Sequence, residues 1–403
     1  MRGEASPLEA SWRHNLAALW FAQLTAIFGF SFAYPFLPLY LQELGIRQQS
    51  QLAFWTGLAG GASGLALAIM SPIWGVVADR FGRKSMLMRA MLGAAITVGL
   101  MGFARGPIDL VVLRMLQGAS SGTVAAATAL VASGTPRSRV GWALGVLTSA
   151  IAVGSALGPV VGGLAAAAVG VRAVFWAGGG LLLLAALPVL LVVREAPRPP
   201  AGAASGSAIE LLRAAAPGAL AAVVALIICQ ALLQAAYVGF QPLVVLRLLQ
   251  RLRTGTAAVT GLAFGAAGLA SALAAVLYAT PARRFGYRPV AIAAALAMGG
   301  AMLFSDVGPG VTAIIAGATL SGAFYGALGP AISTMIGLES PGAIQARVFG
   351  FSSSATALGF AIGPFGGGLL AAQAGLSVAT AACAAVAFIL AGVLILRVRE
   401  PRR

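Results

Sequence analysis

Charge is scarce in this chain. Only 9% of its 403 residues are charged, where a soluble domain averages about a quarter. Acids are scarcer still: ten, against 26 basic residues, with a single histidine. No Asp-rich motif is present, which argues against magnesium-assisted chemistry on a diphosphate. The two cysteines, Cys229 and Cys383, both sit in apolar runs. They form no disulfide framework and no CxxC metal pair. No GxxxxGKS/T loop is present, which argues against a nucleotide-driven pump. No cofactor, no metal and no enzymatic activity are therefore expected. The formal net charge of +16 would suit nucleic acid. Yet the basic residues fall in short clusters between apolar runs and build no basic domain, so no nucleic-acid partner is expected.

What is abundant is apolar surface: 60% of residues are hydrophobic and the mean hydropathy is +0.94. Lipid is the solvent this composition suits. A membrane span needs about 20 apolar residues. Twelve such segments can be marked, near 16–41, 53–77, 86–104, 108–132, 141–169, 172–193, 217–246, 257–280, 289–306, 310–336, 347–374 and 376–396. The fold class expected is an all-α integral membrane protein. Between the sixth and seventh segments, REAPRPPAGAASGSAIELLRAAAPG is the longest polar stretch and reads as a linker with a short surface helix. The basic residues lie about three to one on the side that carries both termini. By the positive-inside rule those termini are cytoplasmic; the cell's inner (plasma) membrane is the expected location.

Shifting the chain by about 204 residues superposes it on itself. Pro38 of FLPLY meets Pro242 of FQPLV; Phe81-Gly82 meets Phe285-Gly286; Leu116-Gln117-Gly118 meets Leu320-Ser321-Gly322. Two homologous six-helix halves follow, 1–193 and 217–403, joined by a linker over 194–216. The repeat also accounts for a duplicated motif, AVGSALGPVVGGLAA and ALGFAIGPFGGGLLAA. Gly154, Gly158 and Gly162 recur every fourth residue, with Pro159 and Gly163 beside them. Gly359, Gly363, Pro364 and Gly367 repeat the pattern. Such a stripe lets another helix approach closely, either as a static contact or as one that shifts with conformation, and the prolines bend the spans.

The segment GVVADRFGRKS joins the second and third spans. Gly75 permits a close approach, Asp79 can cap a helix or pair with arginine, and Gly82 allows a sharp turn. Arg80, Arg83 and Lys84 would meet an anionic leaflet. GVVADRFGRK resembles the signature loop of the major facilitator superfamily. LVVLRMLQGASSG resembles its fourth-helix motif with a buried arginine. AVGSALGPVVGGLAA resembles the fifth-helix motif of twelve-helix drug:proton antiporters, and FGFSFAYPFLPLY their first-helix pattern. The resemblance runs along the whole chain. It implies a monomeric multidrug exporter that works by alternating access. Asp79 and the basic loop would then hold the outward-open state, Arg114 would serve proton coupling, and helices one, four, seven and ten would line a cavity.

The residues support such a cavity on their own account. Gln230, Gln234, Tyr237 and Gln241 fall at i, i+4, i+7 and i+11, one helical face. Arg114, Gln117 and Ser121 share a face of the fourth span. The first span adds Gln23, Phe30 and Tyr34, and the tenth adds Ser321 and Tyr325. Polar groups at this depth face either a cavity or each other across helices. An amide-rich, aromatic, nearly uncharged cavity suits a lipophilic or amphipathic small molecule. No acid stands at the centre of a span. Asp109 near Arg114 is the best available proton-coupling pair, although five residues apart is off one face. A facilitator, or an exporter of a metabolite without proton coupling, is the alternative.

Overall fold

The computed structural model describes residues 7–136, 138–195, 219–252, 254–340 and 344–400. Every regular element among them is helical. Twelve helices are long and apolar enough to cross a membrane, so the protein is a multi-pass membrane protein. The helix expected in the linker lies outside the described residues, as do the side chains of Tyr34 and Asp79.

The first span is not one helix to residue 41. Helix α1 runs Pro7–Ala33 and passes through a 3-10 turn, Tyr34–Phe36, into α2, Leu37–Glu43. Pro35 and Pro38 each lack an N–H, and the missing donors fall where the α-helical ladder is interrupted. Next come α3 (Gln49–Phe81) and α4 (Arg83–Met101).

The fourth span is also broken, into α5 (Pro107–Ser120) and α6 (Thr123–Gly134), with Gly122 at φ +127° between them. That backbone is open to glycine and strained for other residues. A break inside a membrane frees carbonyls that lipid cannot satisfy. Neighbouring helices satisfy them here. Trp74 Nε1 donates to Ala119 O at 2.6 Å, and Arg89 donates to Ser121 O at 3.1 Å. The Arg89 guanidinium also lies 3.6 Å from the centre of the Trp74 ring.

The remaining elements are α7 (Val140–Val169), α8 (Val171–Leu191), α9 (Ala219–Arg251), α10 (Thr256–Leu277), α11 (Ala279–Phe285), α12 (Tyr287–Val307), α13 (Gly310–Glu339), α14 (Gln345–Ala374) and α15 (Leu376–Arg397). Among the first six spans α1 packs on α7 and α8, and α3 on α5. Among the last six α9 packs on α14 and α15, and α10 on α13. Two long contacts join the groups, α3 with α14 and α7 with α10.

Glycine builds those two contacts backbone to backbone. A Cβ at Gly57 would stand 2.6 Å from Pro364 O, and one at Gly64 2.4 Å from Ala361 N, both on α14. On the other seam a Cβ at Gly261 would stand 2.4 Å from Pro159 O, and one at Gly163 2.6 Å from Ala257 O. The sequence behind this is a second internal repeat, TGLAGGASG at 56–64 and TGLAFGAAG at 260–268. The stripe Gly154, Gly158, Gly162 has a different neighbour. It seats on α1, against Leu24, Phe28 and Phe32. Gly359 and Gly363 seat on α9 in the same way, against Ala231 and Ala235. The duplicated motif therefore packs each group of six internally. The contact between the groups falls to the next face of the helix, Gly163 and Gly368.

Candidate functional site

Both seams occupy the same depth. Residues 57–64 of α3 and 361–368 of α14 lie towards the end of the bundle away from the chain termini. So do 156–163 of α7 and 257–268 of α10. Towards the terminal end the same helices are exposed. Ile73 and Val76 of α3, Trp142 of α7, Val276 of α10 and Phe351 of α14 are all solvent- or lipid-accessible. A Cβ at Gly75, Gly141, Gly145 or Gly350 would meet nothing within 4 Å. The close approach expected at Gly75 is thus not made in this conformation. The molecule is shut at the far end and parted at the terminal end.

Polar groups gather between the seams. The Tyr237 and Tyr325 rings stack with centroids 4.0 Å apart and planes at 13°. The Tyr325 hydroxyl donates to Gln234 Oε1 at 3.0 Å, and the Tyr237 hydroxyl meets Gln241. Three members of the stripe are therefore spoken for by each other and by Tyr325, across α9 and α13. Gln230 is half-buried on the same face. Ser321 is fully buried and bonds back to Gly317 O. Spacing alone placed these residues on one face; it did not reveal which neighbours would satisfy them.

In the first six spans Arg114 is 5% exposed. Its guanidinium donates to Gln117 Oε1 and lies 5.9 Å from the centre of the Phe30 ring. Ser121 donates to Gln117 O, which ties that side chain to the helix break. Gln23 is buried on α1, about two turns before Phe30. Asp109 is engaged elsewhere: its carboxylate accepts from the backbone N–H of Arg105 at 2.8 Å, closing the first turn of α5.

The loop after α3 has a partner that sequence reasoning missed. Gly82, at φ +96°, turns the chain into α4. The two leading N–H groups of α4, on Arg83 and Lys84, donate to the Glu195 carboxylate at 2.8 and 3.1 Å. Gly286 repeats the turn at φ +99°, and Glu400 accepts from Tyr287 and Arg288 at 2.7 and 2.8 Å. The signal was available in the internal repeat, since Glu195 and Glu400 are related by the same shift. Arg83 and Lys84, expected to face lipid phosphates, instead donate to main-chain carbonyls, Arg83 to Ala129 and Lys84 to Leu190 and Val193. Arg80 is exposed and lies over the Phe81 ring. Removing a capping carboxylate costs about 0.5–2 kcal/mol. Glu195→Ala and Glu400→Ala should each lower the thermal midpoint in detergent by such an amount. The double variant should show the sum, because the two caps share no partner. A midpoint unchanged in both single variants would reduce these contacts to incidental ones.

The sequence profile of the major facilitator superfamily matches residues 19–249 and 226–403. The chain belongs to the major facilitator superfamily. It is 32% identical over 369 residues to the multidrug resistance protein MdtG of Escherichia coli O17:K52:H18, a match spanning 91% of this chain and 90% of that one. Identity to MdtG of Proteus mirabilis is 44% over 170 residues, 42% of each chain, so that match spans less than half of the relative's length. Among solved structures, a bacterial homologue of the human lysosomal transporter Spinster, inward-facing and occupied, superposes with a TM-score of 0.78 at 16% identity, covering 98% of this chain and 97% of that one. A superfamily member of this fold is a membrane transporter.

Proposed function

We propose that the protein exports lipophilic or amphipathic small molecules across the inner membrane, by alternating access and in exchange for protons. Two six-helix halves, 1–193 and 217–403, rock about a site near mid-membrane, and residues 194–216 link them on the cytoplasmic side. The observation that carries this reading is the one-sided closure of the two glycine seams. With both termini cytoplasmic, as the basic residues favour, this conformation is the inward-facing one. The multidrug relatives supply the substrate class. Gln23, Phe30, Tyr34, Gln117, Ser121, Gln230, Gln234, Tyr237, Gln241, Ser321 and Tyr325 are assigned to the substrate. Arg114 and Asp109 are assigned to proton coupling. The chain works as a monomer in contact with lipid.

The absence of an acid at the centre of any described span favours a second reading, transport of an amphipathic metabolite without proton exchange. One experiment separates the two. Purified protein is reconstituted in liposomes that enclose a pH-sensitive dye, a pH gradient is imposed, and a panel of lipophilic compounds is added. Proton movement triggered by substrate is the expected result. Substrate flux without a dye response would establish the second reading; no flux of any compound would overturn both.

A further inference from the structure

A roomy cleft lies outside the polar network, at the terminal end between α1 and α7. It has a volume of about 720 Å³ and is lined by Trp12, Arg13, Trp20, Phe21, Arg139 and Trp142, among others. Three tryptophans out of six in the chain converge on this one cleft. Trp12 and Trp142 meet edge to face with ring centres 6.4 Å apart. Trp20 Nε1 is held by Ser149 Oγ at 3.1 Å. The cleft therefore has aromatic walls, two rings in contact with each other and a third hydrogen-bonded to α7. It opens on the stretch of α7 that precedes its seam with α10.

Among the described residues two arginines and no acid line it. Aromatic faces alone would favour a lipophilic cation, through cation–π attraction of about 0.5–2 kcal/mol. Here that attraction is already used from within: the Arg13 guanidinium lies 5.5 Å from the centre of the Trp12 ring. A second cation would meet two positive charges and, among the described residues, no counter-charge. An anion would meet both arginines at the mouth. Burying an unpaired charge is far costlier than burying a paired one. The cleft thus selects by sign.

We propose that this cleft binds amphipathic organic anions, an aromatic body seated among Trp12, Trp20 and Trp142 and a carboxylate or sulfonate held by Arg13 and Arg139. The proposal narrows the substrate class of the export reading and rests on it for the direction of travel. The same chemistry could be presented by a free solute or by an anionic phospholipid.

The test uses two probes sharing a pyrene body, one ending in a sulfonate and one in a trimethylammonium. The full-length protein is placed in phosphatidylcholine nanodiscs, with empty nanodiscs as background, and energy transfer from tryptophan to pyrene is recorded. The sulfonate should bind at least about tenfold more tightly than the ammonium. An Arg13→Gln/Arg139→Gln double variant should lose most of that preference. An Arg47→Gln/Arg251→Gln double variant, with the same loss of net charge at the far end, should keep it. Equal or tighter binding of the ammonium, or an unaffected Arg13→Gln/Arg139→Gln variant, would overturn the proposal. Phosphatidylglycerol added to the discs decides the source. If it competes with the sulfonate in the parent but not in the double variant, the natural anion is a lipid; if it has no effect, the anion is a solute. Anion binding without flux in liposomes would sink the export reading alone. Flux of cations without anion binding would sink this inference alone.

Discussion

A Gly57→Leu variant is expected to lose transport by about tenfold or more while still folding. A Cβ at Gly57 would stand 2.6 Å from Pro364 O and 2.7 Å from Gly368 Cα, both main-chain atoms. Neither can rotate aside, so the far ends of α3 and α14 must part. Overpacking of this kind costs about 1–3 kcal/mol. Charged to one conformation of a two-state transporter, that shifts the equilibrium about 5- to 150-fold towards the state open at the far end. Gly154→Leu should behave differently. Its Cβ would meet Leu24 O at 2.9 Å within the first six spans, so it lowers the thermal midpoint and biases neither state. Alkylation of a cysteine introduced at the far-end opening measures the difference. Gly57→Leu should raise the labelling rate and Gly154→Leu should not. Native transport and native labelling in Gly57→Leu would dispose of the far-end seam as a gate.

The second large effect is expected at Arg114. Gln117→Leu removes an acceptor from a guanidinium that is only 5% exposed. A hydrogen bond to a charged group contributes about 1.5–3 kcal/mol, and that much stability should be lost. Arg114→Met removes the charge together with its desolvation cost, and such a change is often neutral or stabilising. The Arg114→Met/Gln117→Leu double variant should therefore be more stable than Gln117→Leu alone, yet inactive in gradient-driven uptake. Thermal melts of the four proteins complete the cycle. A double variant less stable than Gln117→Leu would mean that the arginine is held mainly by other contacts.

Length and hydropathy made the twelve spans legible, because lipid admits few alternatives to an apolar helix. The repeat was legible as well, and with it the glycine turns at 82 and 286. What hydropathy could not show was continuity. The run through 120–123 is apolar enough to cross as one helix, but Gly122 breaks it, and two side chains from other spans make the break tolerable. Hydropathy also says nothing of direction around a helix. Gly162 and Gly163 are neighbours in the chain and serve opposite partners, Phe32 on α1 and Gly261 on α10. The duplicated motif drew attention to the face that holds each group of six together. The working seam, at Gly57, Gly61, Gly64, Gly261, Gly265 and Gly268, lay unremarked in a run of small residues. For the polar stripe, spacing put Gln230, Gln234, Tyr237 and Gln241 on one face of α9. The Tyr237–Gln241 pair is local to the stripe, but the partner of Gln234, Tyr325, sits ninety-one residues away.

The bareness of those seams has a kinetic meaning. Where backbone meets backbone, there are no rotamers to unlock and no interleaved side chains to withdraw. Dispersion falls off so steeply that a gap of about 0.5–1 Å already forfeits a quarter to a half of the attraction. A surface of this kind behaves like a magnet on a smooth plate, holding firmly at contact and hardly at all once lifted. Its release should show little internal friction and little dependence on side-chain freezing. The tempo of opening at the far end is then left to whatever must flow in behind the departing helices.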